Sequence, residues 1–214
     1  GARVLFNTSL SLVETRKKGV VSAIITSSKS GLKAYKAKIY IDCTGDADLA
    51  AWAGATFQKG DKKGALQPAT HCFILSNVNL EELDTHGSIH PGNPESPIYK
   101  ILDSARYPLI KDKHVCHSVI GPGTIGFNAG HIWNVDNTDP ESVSKALIEG
   151  RKIAESFKKA LVEFYPSAFK NAFLVATGPL MGVRETRRIT GDYILTVDDF
   201  LARRTFADDI CRNS

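Results

Sequence analysis

No run of apolar residues in this 214-residue chain is long enough to cross a bilayer. Cysteine is sparse. Cys43, Cys72, Cys116 and Cys211 lie far apart and form no CxxC pair. That leaves a zinc ribbon or a redox dithiol unsupported and favours free thiols in a cytoplasmic protein. Neither sign of charge dominates: 27 basic and 23 acidic residues leave a net +4. The basic residues fall in short clusters such as Arg16-Lys17-Lys18 and Arg203-Arg204. A nucleic-acid partner, which calls for charge gathered along one helix or stripe, is not expected. There is no Gly-x-Ser-x-Gly elbow and no P-loop. Histidines four apart bind a metal well only on a helix, and Gly87 and Pro91 argue against one between His86 and His90, so no metal site is expected.

What is present is the composition of a globular protein, 43% hydrophobic and 23% charged, long enough to bury a core. No repeat, low-complexity segment or linker divides it, which predicts a single domain over residues 1–214. Strand-like patterns open the chain at 4–6, at Leu10 and Leu12, at 20–27 and at 33–42, an antiparallel meander with one wet face. A short helix is expected over 46–55 with Asp46 as its N-cap. A strand follows at 70–79, a helix at 80–84, a loop at 86–97 that could form a lid, and a helix at 98–106. Paired strands are expected at 114–120 and 125–135. The strongest pattern is a helix over 140–164 with Val143, Ala146, Leu147, Gly150, Ile153, Phe157, Ala160, Leu161 and Phe164 on one face. Thr138 or Asp139 caps it, Thr138 with Glu141 making a capping box, and Pro166 ends it. Strands at 172–177 and 183–195 complete an α+β class: a largely antiparallel or mixed sheet, one long amphipathic helix and several short ones.

Three segments carry possible chemistry. Gly121-Pro122-Gly123-Thr124-Ile125-Gly126 fits GxGxxG by letter. The residues after it alternate like a strand, whereas the dinucleotide fingerprint must open a helix, so this is a hairpin turn. Asp42-Cys43-Thr44-Gly45-Asp46-Ala47-Asp48 is a strand-to-helix turn that either admits a ligand to the backbone or is plain turn-and-cap chemistry. Between Gly182 and Gly191, Arg184, Arg187 and Arg188 surround Glu185. Such a cluster binds an anion through paired hydrogen bonds or forms a salt-bridged surface strand.

Two of these segments together resemble a known family. Ile41-Asp42-Cys43-Thr44-Gly45-Asp46-Ala47-Asp48-Leu49-Ala50 with Ala53-Gly54-Ala55, and Gly182-Val183-Arg184-Glu185-Thr186-Arg187-Arg188-Ile189 with Gly191-Asp192-Tyr193-Ile194-Leu195-Thr196, are similar in content, order and spacing to segments of FAD-dependent oxidoreductases, some described as xanthan lyase-like. The resemblance implies a Rossmann-type flavin domain with a sheet-rich substrate domain inserted in it. The Gly-rich βαβ fingerprint of that family is not in this sequence. The expectation is therefore an internal fragment, a substrate domain with remnants of the flavin domain, in which residues 1–56 and 178–214 border the flavin domain. By the resemblance, Ser9, Leu10, Thr44, Gly45 and Asp46 would lie near FAD. Arg184, Glu185 and Arg187 would lie near a small-molecule substrate. FAD would be held weakly or not at all by this chain alone, which would itself be inactive. The other reading is a non-enzymatic ligand- or carbohydrate-binding module, for which Trp52, expected to be buried, and Trp133 are the only tryptophans. The sequence leaves the oligomeric state open.

Overall fold

The computed structural model describes residues 1–17, 19–85 and 89–211, with the side chains of 84 and 85 left aside. The chain divides into two compact units, Gly1–Gln58 with Arg187–Ser214, and Lys59–Thr186.

The first unit opens with a three-stranded antiparallel sheet of β1 (Ser9–Lys17), β2 (Val20–Ser28) and β3 (Gly31–Tyr35), in that order. The β-branched run of β2 explains its central place; Val13, opposite Ile24, and Ala23, opposite Glu14, are both buried but lie on opposite faces. Residues 4–6, expected as strand, form no element, and Val4 and Phe6 are exposed. The third strand stops at Tyr35, not at residue 42. The stretch from 36 to 47 finds no ladder partner, and its strand-like Ile39 and Ile41 stand in solvent. An alternating pattern states which face a strand would bury, but hydrogen bonding needs a neighbour. Next come α1 (Asp48–Trp52), shorter than expected, and β4 (Phe57–Lys59). Trp52 is exposed.

The second unit holds β5 (Ala69–Thr70), β6 (Phe73–Ser76), α2 (Leu80–Thr85), α3 (Pro97–Asp103), β7 (Val115–Gly121), β8 (Thr124–Ala129), β9 (His131–Ile132), α4 (Pro140–Phe164), α5 (Pro166–Phe169) and β10 (Phe173–Thr177). Its main sheet is antiparallel with order β10-β6-β8-β7, and β5 pairs with β9. The strand expected over 70–79 breaks in two because its halves have different partners. Thr70 pairs with His131 and exchanges both backbone hydrogen bonds with Gly182, while Phe73 pairs with Phe127. β7 and β8 form the expected hairpin across Pro122-Gly123, so the GxGxxG letters are indeed a turn.

α4 matches its expected bounds and buries Ala146, Gly150, Ile153, Ala154, Phe157, Ala160 and Leu161. Asp139 caps it by accepting the Glu141 N–H; Thr138 instead donates to Asp136 and takes a hydrogen bond from Lys59. The supporting pairs Glu141–Lys145 and Glu155–Lys159 are present at 3.8 Å. Phe157 packs on Phe73, which stacks on Phe127 at 4.8 Å. Burying each such ring contributes about 2–3 kcal/mol. Gly130 is required where β8 passes to β9: its φ is +75°, and a Cβ there would sit 2.6 Å from Ile153. The loop before α3 is packed from residue 89 onward, with Ile89 buried and Ser96 Oγ donating to its carbonyl. His86 lies outside the described residues.

Returning to the first unit, β11 (Arg187–Ile189) pairs with β4, and α6 (Val197–Leu201) follows. The strand expected over 183–195 is thus three residues long. α6 carries a capping box of Thr196 and Asp199, a Thr-x-x-Asp spacing visible in the sequence.

Candidate functional site

In an antiparallel sheet, residues paired across strands share a face. Phe73, Phe127, Leu75 and Ile125 turn to α4. Ile74, Gly126, Ser118, Cys116 and Asn128 therefore turn to the other face. There the second unit holds a recess of about 650 Å³, lined by these residues with Cys72, Ile120 and the turn from Ala176 to Pro179. No residue of the lining is an Asp, Glu, Lys or Arg.

At one end of this face lies a polar cluster that sequence reasoning missed. Asp112 accepts the His114 backbone N–H through Oδ1 at 2.8 Å and the His131 Nδ1–H through Oδ2 at 2.9 Å. The rings of His114 and His131 stack at 4.0 Å, nearly parallel. His114 Nε2 lies 3.4 Å from Asn128 Oδ1, on the recess wall. An amide oxygen only accepts, so His114 carries its proton on Nε2. Burial, followed by the charge of His131, lowers the His114 pKa below its ordinary value, with Arg184 adding to the effect. In the sequence these residues are 112, 114, 128 and 131, a spacing without a motif; only the hairpin brings them together. His117 stands opposite Phe127 in the pairing, on the core side. Its Nδ1 is buried without a hydrogen-bond partner, and burial followed by the charge of His90 lowers its pKa.

The residues singled out from sequence fall into both units. Thr44, Gly45 and Asp46 form the turn before α1, with Arg187 against it: its guanidinium donates to Asp48 Oδ1 at 2.6 Å and to the Asp46 carbonyl at 3.0 Å, and lies over Phe57. Ser9 and Leu10 open β1. Arg184 and Glu185 belong to the second unit, where Glu185 accepts from the Gln67 N–H and Arg184 is exposed. The recess lining includes none of these eight residues. All four cysteines are free thiols. Among the described residues no cluster of His, Cys, Asp and Glu could hold a metal ion, and no helix is long and apolar enough to span a membrane.

An uncharged recess of this size on the open face of an antiparallel sheet has the dimensions of a small-molecule site. The chain matches the family described as FAD dependent oxidoreductase over residues 1–214, and it belongs to that family. No curated protein matches it.

The turn at 42–48 does not fit a flavin diphosphate. The expected N-cap Asp46 is not the cap. Asp42 holds the turn instead, its carboxylate accepting the Thr44 N–H and hydroxyl and the Ala50 N–H. Burial raises the Asp42 pKa, but these hydrogen bonds outweigh it and leave the group lowered. Thr44 Oγ1 accepts the Asp48 N–H. The Thr44, Asp48 and Ala50 N–H groups are thus taken up internally, and Asp42, Asp46 and Asp48 would repel a diphosphate.

Proposed function

We propose that Lys59–Thr186 is the substrate-binding part of a flavin-dependent oxidoreductase and that the recess over β6, β8 and β7 receives the substrate. One observation carries this reading: a recess of about 650 Å³, built by the open sheet face, in a chain that matches a flavoenzyme family along its length. Ser9, Leu10, Thr44, Gly45 and Asp46 are assigned to the flavin side as backbone neighbours rather than as its phosphate cradle. Gly45 supports this, with a φ of +82° and open space where a Cβ would stand. Arg187 holds that turn. Arg184 and Glu185 are assigned to the substrate side, Arg184 because its charge reaches His114.

The chain is proposed to be one piece of a longer cytoplasmic flavoprotein, inert alone and holding FAD weakly or not at all. The acidic turn supports weak binding, and the exposed, strand-like Ile39 and Ile41 support a missing neighbour. Two measurements test this. The isolated chain titrated with FAD should show no stoichiometric retention; tight binding would overturn the fragment reading. Protein purified from the full reading frame should show flavin absorption. A colourless protein that cannot be reconstituted would refute the oxidoreductase reading and favour a non-enzymatic binding module.

A further inference from the structure

The recess wall has a chemistry that narrows what it can hold. Apart from thiols, hydroxyls, one amide and His117, whose strand position turns to the core, its lining is apolar, and it contains no Asp, Glu, Lys or Arg. An ion placed there would lose its hydration without gaining a partner. A sugar, polar all round, would strand most of its hydroxyls. The one amide is held in a fixed sense. Asp112 sets His131 through Nδ1 and His114 through its backbone, and the stacked His114 ring presents its Nε2–H to Asn128 Oδ1. That leaves the Asn128 amide nitrogen, with two N–H groups, as a donor on the wall. Asn128 shares its row with Cys116 on the neighbouring strand and faces the same side as Gly126 and Ile74.

We infer that the recess binds an uncharged, largely apolar small molecule carrying an acceptor oxygen, ketone or alcohol, and that Asn128 anchors that oxygen, oriented by the chain Asp112–His131–His114. This rests on the recess being the substrate site and adds the class of substrate. Burial, followed by the charge of His131 and with a smaller contribution from Arg184, lowers the His114 pKa despite Asn128 and Asp112. Asn128 is a ligand-contacting residue in this scheme. His114, His131 and Asp112 are positioning residues.

The test uses the full 214-residue chain and three naphthalene probes of one shape, followed by saturation-transfer NMR and calorimetry. They are 2-acetylnaphthalene with its ketone oxygen, 2-ethylnaphthalene without one, and 2-naphthoate with a charge. The ketone should bind about three- to tenfold tighter than the ethyl compound, the worth of one hydrogen bond. Naphthoate should bind at least about tenfold more weakly than the ketone, given the desolvation cost of an unpaired charge. Asn128→Leu should bring the ketone down to the affinity of the ethyl compound while the ethyl compound binds as before, which also reports an intact fold. A merely structural role for Asn128 would move both probes together. Gly126→Leu, whose added side chain grows from a position with ordinary van der Waals space into the recess, should abolish binding of both. Equal binding of ketone and ethyl compound, or naphthoate as the tightest probe, would overturn the substrate class and leave the recess standing. Failure of both neutral probes to bind would overturn the recess as a substrate site and this inference with it.

Discussion

Replacing Gly150 by alanine should destabilise Lys59–Thr186 although it improves the helix. In an open helix interior the change gains about 1 kcal/mol, because glycine loses more backbone freedom on folding. Here an added Cβ would stand 2.4 Å from His71 Cβ and 2.5 Å from its Nδ1. His71 is 2% exposed and cannot swing aside cheaply. Its Nε2 donates to the Gly178 carbonyl at 2.7 Å, and moving the ring gives that bond up. Overpacking a tight core costs about 1–3 kcal/mol and a hydrogen bond about 1 kcal/mol, so the net should be a loss of about 2 kcal/mol. With a urea slope of about 2 kcal/mol/M, the midpoint should fall by about 1 M. The double-mutant cycle separates the terms. In a His71→Gly background, which removes the Cβ as well as the ring, the clash is gone, and Gly150→Ala should stabilise by up to about 1 kcal/mol, a coupling of about 3 kcal/mol between the two positions. A Gly150→Ala protein with a raised midpoint in the presence of His71 would refute the argument.

Other perturbations read other parts of the molecule. Burial pushes the Asp136 carboxyl up, but hydrogen bonds from Lys59 and Thr138 and the Lys59 charge overcome it and hold the pKa at about 2. A depressed carboxylate stabilises the fold above its unfolded pKa of 3.8, so this contribution should be complete above about pH 5 and lost as pH falls toward 2. Lys59→Met should raise the Asp136 pKa, measured by carboxyl NMR titration, and flatten the acid limb of stability; an unmoved titration would remove Lys59 as the cause. Asp42→Ala should cost about 1–2 kcal/mol, since three donors lose one acceptor, and should show first as faster hydrogen exchange at Ala50. Unchanged exchange there would show that Asp42 does not hold the turn. His114 should titrate below the ordinary histidine value of 6.5, and His131→Gln should move it back upward because the stacked charge is removed. A His114 titration unaffected by that substitution would remove His131 as a cause and leave burial and Arg184.

Local patterning determined what local interactions stabilise. α4 was legible to the residue because its apolar period, Asp139, Pro140 and Pro166 all act within a few residues of one another. The hairpin of β7 and β8 was legible for the same reason, since Pro122-Gly123 demands a turn. The α+β class and the family follow from such segments and from two motifs that survive as strings. What needs a distant partner was not legible. Whether residues 36–42 become a strand depends on a neighbour to bond with, and here Ile39 and Ile41 have none. Whether Arg187 meets a ligand or Asp48 depends on how residue 187 is placed beside residue 48, a choice made by chain crossing and not by composition. The recess exists because only one face of the four-stranded sheet is filled by α4. The cluster of Asp112, His114, Asn128 and His131 exists because a hairpin folds residue 128 back onto residue 116 and leaves 114 and 131 at the same end. Side chains scattered through the sequence become one wall only when strand register puts them in adjacent rows, and register is a property of the tertiary structure.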